Sequence, residues 1–390
     1  MTDSRTLSGE NPALLRRINR SAVLRALEAG TQQTVAQLVT RVGLSRRTVE
    51  DALADLLTQG WVEVESATDP SDPAPVDANG KEAAKAERRA VGRPARRFRF
   101  RPDAGLVAGI DLGAARIECL VTDLSGTVLA EVAAEAQLDW TARRRLNAAR
   151  KLLDKAIHQA STPAPLLGLG VGTTGIVDAG RISLSTTLPD WTGFDVAGAL
   201  RAAVTCPVLV DNDGNVAAIA ERWTGAATDV RDVLLIHAGR RITAGVVLDG
   251  QLHRGRHRRA GEVGTMPMLH WDRILTDLAA LDAGATATHR ILRAVARDLA
   301  VGVAAMALTI DPDTVVLGGQ LAALGPKFRT DFEAALATHC PWEIDVRWST
   351  LGGRGVSLGA VRLALDDVEA RLHAVDGADE PTPLALSNRS

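Results

Sequence analysis

Apolar residues recur at helical spacing over residues 34–57, TVAQLVTRVGLSRRTVEDALADLL. Val35, Leu38, Val39 and Val42 share one face, Gly43 interrupts, and Val49, Ala52, Leu53 and Leu56 restart the pattern. Two short helices joined by a tight turn are predicted. Thr34 with Gln37 makes a capping box at the start of the first, and Ser45 is placed to cap the second. Burying the apolar face leaves Arg46, Arg47, Glu50 and Asp51 pointing outward from the start of the second helix. From that place a recognition helix reaches base edges in a major groove. Taken alone, the stretch also fits two helices of an ordinary bundle with solvated charges.

The flanks favour the first reading. Upstream, Asn11 and Pro12 open a helix whose apolar side is Leu15, Ile18, Ala22, Leu24 and Leu27, and Gly30 stops it. Downstream, Gly60 ends the bundle, Trp61-Val62-Glu63-Val64 alternates as a strand, and Arg97-Phe98-Arg99-Phe100 alternates as its partner. A three-helix unit with a two-stranded wing is therefore expected. Between the strands, residues 66–80 are rich in Pro, Asp and small side chains, and read as a mobile wing tip. Residues 81–101 hold nine basic residues against two acidic ones and include Gly92-Arg93-Pro94. Such a turn holds an extended backbone that can slide Arg93 into a narrow minor groove, with Arg96 and Arg97 near phosphates. A solvated linker is the plain alternative.

From Gly105 onward the texture changes to short apolar strands, glycine turns and Ala-rich helices. Strands are predicted at 106–111, 116–123, 127–133, 166–171, 207–210, 233–237, 244–248 and 315–317, with a helix over 141–159. Strands interleaved with helices argue an α/β body, with two lobes of similar construction but no clear sequence repeat.

The chain has 390 residues, enough for two or three domains. Aromatic residues are scarce at 3%, without a tyrosine, a composition bias with no functional message. The formal charge of −2 hides an asymmetry: residues 1–101 hold 17 Lys plus Arg against 13 Asp plus Glu, and the remainder 28 against 34. A basic front on an acidic body suits a nucleic-acid reader joined to a second module. Cys119, Cys206 and Cys340 are far apart and outside any CxxC pair, so they read as small core residues. Apolar runs are too interrupted to span a bilayer, and a cytoplasmic protein is expected. His253 and His257 share a loop with Arg254, Arg256, Arg258 and Arg259; the arginines repel a metal, and a mobile, exposed hairpin loop is expected.

Six blocks carry a resemblance: GIDLGAARIECLVTDLSGTVL from Gly109, LGLGVGTTGIVD from Leu167, LPDWTGFDV from Leu188, VDNDGNVAAIAE from Val210, VVLDGQLHRGRHRRAGEVG from Val246, and DPDTVVLGGQLA from Asp311. In order and spacing, residues 11–365 resemble the ROK family of repressors, open reading frames and sugar kinases. The resemblance implies an N-terminal winged helix-turn-helix followed by a two-lobed body of the actin-like ATPase, sugar-kinase-like kind, with ribonuclease H-like lobes. It implies that Asp213 stands where family kinases place the carboxylate that accepts the sugar hydroxyl's proton. Asn212 and Glu262 match positions that hydrogen-bond sugar hydroxyls, and Gly175 joins them as an effector contact. It also marks departures. The first phosphate turn is Asp111-Leu112-Gly113-Ala114-Ala115-Arg116, and the second runs Gly239-Arg240-Arg241-Ile242-Thr243-Ala244-Gly245. Side chains there obstruct the backbone's approach to an anion. Thr265 replaces a histidine, Thr187 replaces an asparagine, and the cysteine-rich zinc motif is missing after Met268.

The division expected is a winged helix-turn-helix over 11–65 plus 92–101, a linker over 66–91, lobes over 105–210 and 211–355, a C-terminal helix over 356–372 returning to the first lobe, and a disordered tail over 373–390. The function expected is a sequence-specific DNA-binding regulator, a repressor of sugar or secondary metabolism. It would act as a homodimer or homotetramer on an inverted-repeat operator, with a sugar or sugar-phosphate effector, no membrane, no cofactor, no metal and no enzymatic activity. Arg46, Arg47, Thr48, Arg93, Arg96 and Arg97 are the expected DNA contacts. Two alternatives stay open: an active sugar kinase carrying a DNA-binding head, and a regulator whose body only dimerises.

Overall fold

The structure, a computed structural model, describes residues 12–30, 32–65, 95–282, 288–375 and 381–383. The linker expected over 66–91, the Gly92-Arg93-Pro94 turn with its Arg93, and most of the expected tail lie outside the described residues. Two compact units emerge, Met1–Ala104 with Glu369–Ser390, and Gly105–Val368.

In the first unit, helix α1 (Pro12–Glu28) precedes strand β1 (Gln33–Thr34) and the helices α2 (Val35–Val42) and α3 (Arg46–Gln59). Thr34 Oγ1 accepts from the Gln37 backbone while Gln37 Oε1 accepts from the Thr34 backbone at 2.8 Å, so the capping box forms. Gly43, at φ 69°, takes the left-handed conformation that turns the chain from α2 toward α3, where Ser45 accepts from the Thr48 backbone. Leu38, Val49, Leu53 and Leu56 form the core with Val23, Leu24 and Leu27 of α1. One expectation needs correcting: Leu15 and Ile18 are 40% and 43% exposed. The buried residues of α1 all fall between Arg20 and Leu27, because the short α2–α3 pair covers only its second half.

Strands β2 (Val62–Glu65) and β3 (Arg97–Phe100) pair antiparallel, and β1 adds on the other side of β3, so the sheet has three strands rather than two. Two residues are too short a run for a period-2 signal. The stretch 373–375, assigned to the tail, is instead held: His373 Nε2 lies 2.9 Å from Glu28 Oε2, and its Nδ1 3.2 Å from Ser21 Oγ.

The second unit contains two five-stranded sheets. The first has strands β4 (Leu106–Leu112), β5 (Arg116–Thr122) and β6 (Val128–Glu135), then helix α4 (Ala142–Ala160) and strand β7 (Leu166–Thr173). A two-stranded hairpin of β8 (Ile176–Asp178) and β9 (Arg181–Leu184) follows, then helix α5 (Val196–Arg201) and strand β10 (Val208–Asn212). Helix α6 (Asp213–Thr224) leads to the second sheet, whose first strands are β11 (Val233–Ala238), β12 (Ile242–Leu248) and β13 (Gln251–Leu252). Helices α7 (Trp271–Asp282) and α8 (Thr288–Ile310), strand β14 (Thr314–Gly319), helix α9 (Gly325–Ala337) and strand β15 (Val346–Trp348) complete the second lobe, and helix α10 (Gly355–Leu372) follows.

The sheets are ordered β10-β7-β4-β5-β6 and β13-β12-β11-β14-β15. In each, the first strand makes an antiparallel meander with the next two and a parallel ladder with the strands on its other side. The body is thus the same topology built twice, the two-lobed sugar-kinase-like arrangement. Glycines let α10 approach the first sheet: a Cβ at Gly170 would lie 1.8 Å from the Ala360 carbonyl, and one at Gly109 2.3 Å from that of Ser357. In the second lobe α7, α8 and α9 share a core with the sheet that includes Leu234, Ile236, Trp271, Leu299, Phe328 and Phe332. No helix among the described residues is long and apolar enough to cross a membrane.

Candidate functional site

Two places gather the residues singled out above, one in each unit. On the first unit, Arg46 and Arg47 occupy the opening turn of α3, where the backbone N–H groups and helix dipole also favour an anion. Arg46 has 73% of its side chain in solvent, and its Nε donates to Glu50 Oε1 at 2.9 Å. Arg47 is exposed. Thr48 is half-buried, and its hydroxyl lies 2.8 Å from Ser45 Oγ, so it serves the helix cap first. Arg96 and Arg97 are exposed at the start of β3. Arg99 pairs with Glu63 across the wing, and buried Arg101 donates to the Gly60 carbonyl at 2.9 Å, which removes both from the pool of free cations.

On the second unit, the block VDNDGN forms the junction of β10 and α6. Asn212 caps the helix: Oδ1 accepts from the Gly214 backbone at 2.8 Å and Nδ2 donates to the Gly175 carbonyl at 3.0 Å. Gly175, just before β8 at the open end of the β8–β9 hairpin, adopts φ 104°, and a Cβ there would lie 2.7 Å from the Leu184 carbonyl. Asp213 begins α6, and burial raises its pKa to about 7, with the Glu262 carboxylate adding to the shift against hydrogen bonds that oppose it. Glu262 itself is pushed up by burial, with Arg241 pulling the other way. Asp111, at the end of β4, is raised well above the usual carboxylate range by burial and by the charges of Asp213 and Glu118. Asn212, Asp213, Glu262 and Gly175 therefore lie about one helix terminus, among carboxyls that repel one another. A neutral polyol, which donates hydroxyl hydrogens to carboxylates, suits this set better than an anion does.

Several supporting residues were missed by reading the sequence. Asp211, almost fully buried, accepts from the Asn212 backbone and from Asn215 Nδ2, each at 2.8 Å, and from Arg254 Nε at 2.6 Å. The loop holding His253 and His257 is accordingly anchored rather than free, since Arg258 also sits 3.1 Å from Asp178. Three polar residues directly after an apolar strand were the available signal for Asp211. Nothing local signals Arg254, whose partner is 43 residues away. Thr243 Oγ1 is buried without a hydrogen-bond partner among the described residues, beside Gly214.

Side chains surround both turns that the resemblance assigns to phosphate. Arg116 donates to buried Glu118 at 2.7 Å, and Ser357 Oγ donates to the other oxygen of Glu118 at 2.6 Å. Fully buried Arg145 donates to the carbonyls of Gly113 and Ala114 at 2.5 and 3.1 Å. Arg240 is exposed, and Arg241 lies 3.6 Å from Asp272. Half-buried His237, at the foot of the second turn, is neutral near pH 7 because burial lowers its pKa to about 4. Among the described residues no group of three or more His, Cys, Asp or Glu is arranged to hold a metal.

Residues 107–274 match the profile of the ROK family. The xylose repressor of Caldicellulosiruptor bescii is 23% identical over 410 residues, spanning 92% of this chain and 98% of that one. The glucokinase of Halalkalibacterium halodurans is 29% identical over 165 residues, 41% of this chain and 49% of that one. Among solved structures, a ROK family transcriptional regulator, a homolog of the E. coli MLC protein, shares the fold over 93% of this chain and 100% of its own, with TM-score 0.66 and 16% identity. The ROK hexokinase from Thermus thermophilus covers 68% of this chain and 99% of its own, with TM-score 0.56 and 26% identity. The hexokinase likeness stops at about two thirds of the chain, whereas the likeness to the Caldicellulosiruptor bescii xylose repressor takes in 92% of it. The chain therefore carries a ROK family domain, preceded by a winged helix-turn-helix.

Proposed function

We propose that this chain is a sequence-specific DNA-binding transcriptional repressor whose body binds a neutral sugar as effector and does not transfer phosphate. The observation that carries the reading is the opening turn of α3, where Arg46 and Arg47 project into solvent from a capped helix-turn-helix backed by a winged sheet. Similarity to a xylose repressor along nearly the whole chain supports it. Two copies related by a two-fold axis would set their α3 helices in successive major grooves of an inverted repeat. Arg93 would enter the adjoining minor groove, with Arg96 and Arg97 at phosphates. In the body, Asp213, Asn212, Glu262 and Gly175 would hold the sugar. An effector that favours one conformation of the body shifts DNA affinity by its differential binding alone.

Selection of bound fragments from random and genomic DNA at fixed salt, with and without a panel of neutral sugars, tests the reading. Enrichment of a palindrome that a sugar abolishes is the expected result. Binding that lacks sequence preference and collapses with salt would defeat it.

A second reading, an active sugar kinase with a DNA-binding head, is favoured by Asp213, whose pKa of about 7 suits a general base. The Arg116–Glu118 pair and the arginines of the second turn oppose it. ATP consumption in a coupled assay with hexoses separates the two. A third reading, a body that only dimerises, is favoured by the Asn212 side chain, which is committed to the α6 cap and to Gly175.

A further inference from the structure

Away from the α6 terminus, helices α7, α8 and α9 enclose an open recess of about 970 Å³. Its walls carry Arg273 from α7, His289, Arg290, Arg293 and Arg297 from α8, and Asp331 from α9. Positions 290, 293 and 297 follow helical spacing, so three guanidinium groups share one face. This cationic recess stands on a body whose charge runs the other way, 28 Lys plus Arg against 34 Asp plus Glu over residues 102–390. Like charges at helical neighbours repel each other, and a bound anion relieves that repulsion.

Neutralisation from within the protein is loose. Arg293 Nε lies 3.7 Å and His289 Nε2 3.6 Å from Asp331, Arg297 Nε 3.5 Å from Asp298, and Arg273 Nε 4.0 Å from Asp277. At these separations the ion pairs form no hydrogen bond, in contrast to Arg254–Asp211 at 2.6 Å and Arg116–Glu118 at 2.7 Å. Arg290 is exposed and pairs with no carboxylate among the described residues. The N–H groups of the stripe are thus largely unspent. A second observation bears on the other half of the ligand: the Asp331 side chain, 20% exposed, lines the recess, and its Oδ2 accepts no hydrogen bond among the described residues. It calls for a donor that the protein does not supply.

We propose that this recess binds a phosphorylated, hydroxyl-bearing small metabolite. The phosphate lies between Arg290 and Arg293, where planar guanidinium forks match its oxygens, and a hydroxyl of the same molecule donates to Asp331. Arg297 and Arg273 add field. The site is distinct from the carboxyl-lined terminus of α6, which selects a neutral polyol, and it does not depend on how α3 reads DNA.

The test is calorimetry on the full chain with glucose 6-phosphate, glucose and inorganic phosphate as probes, for the wild type, Arg290→Ala/Arg293→Ala and Asp331→Asn. The arginine variant should weaken glucose 6-phosphate binding by about tenfold or more and leave any glucose binding unchanged. Asp331→Asn should weaken glucose 6-phosphate more than it weakens inorganic phosphate. Glucose 6-phosphate binding that is unaltered in the arginine variant, or no saturable binding by the wild type up to about 10 mM, overturns the proposal. So does a loss of affinity for a short DNA duplex in the arginine variant with sugar-phosphate binding intact, which would make the stripe a nucleic-acid contact.

Discussion

Arg46 and Arg47 sit side by side and are not equivalent. Arg46 shares its Nε with Glu50, and must loosen that bond before it can fork onto a base, whereas Arg47 forms no ion pair among the described residues. Replacing both with Ala should cost at least tenfold in specific affinity, since each good base contact is worth roughly 1–3 kcal/mol. Fluorescence anisotropy against the selected operator at fixed salt measures it, and unchanged binding would remove α3 as the reading element. In the proposed sugar site an ionised Asp213 accepts a sugar hydroxyl more strongly than a protonated one, and its pKa is about 7. Affinity for a neutral effector should therefore rise between about pH 6 and 8 and then level off, with Asp213→Asn flattening the profile. The types of these residues were readable because each stands at a recognisable boundary, a helix start or a strand end. Their partners were not, because Arg254 and Asp211, or Ser357 and Glu118, meet only through the fold.

At the scale of elements, the helix-turn-helix was readable almost to the residue, since its determinants are local: Thr34 with Gln37, Gly43, Ser45, and an apolar stripe. Strand order was not. Period-2 alternation predicts a strand but names no neighbour, so nothing in the sequence of β4 says that β7 and β5 flank it. The face of α1 was misread for a related reason, because burial depends on how far its partners extend. Glycines divide into two kinds with different expected costs. Gly43 has open space around its Cβ position, so Gly43→Ala should cost only the left-handed backbone penalty, about 1–2 kcal/mol, in urea unfolding followed through the head. Gly170→Ala drives a methyl into the Ala360 carbonyl, and should lower the melting temperature of the body far more or leave it insoluble.

For the whole molecule, charge and protons give the clearest expectations. The formal +4 of residues 1–101 against the −6 of the rest predicts DNA affinity that falls steeply with salt, a slope the wing arginines should dominate. Asp213 is held at about 7 in the folded chain against 3.8 for the free group, so between those values the folded state keeps a proton that the unfolded state releases. Its contribution to stability is therefore fully present below about pH 4 and is lost as pH rises through 7. Asp111, Glu221 and Glu262 shift in the same direction. Asp213→Asn should accordingly raise the melting temperature at pH 8 more than at pH 5, and an equal gain at both would argue against the shift. The duplicated sheets, by contrast, were legible only as a texture, because topology is repeated here without repeating residues. The seating of α10 has a consequence for the order in which the chain is made. The helices and sheet of the head are complete by Phe100 and can settle while translation continues. The first sheet of the body begins at Leu106, yet the glycine-floored groove over β4 and β7 stays empty until residues 355–368 leave the ribosome. Newly made chains pass through a long interval in which the head lacks its contacts with His373 and Val375 and the body lacks its last helix, so the C-terminal stretch is the step that commits both units to their native form.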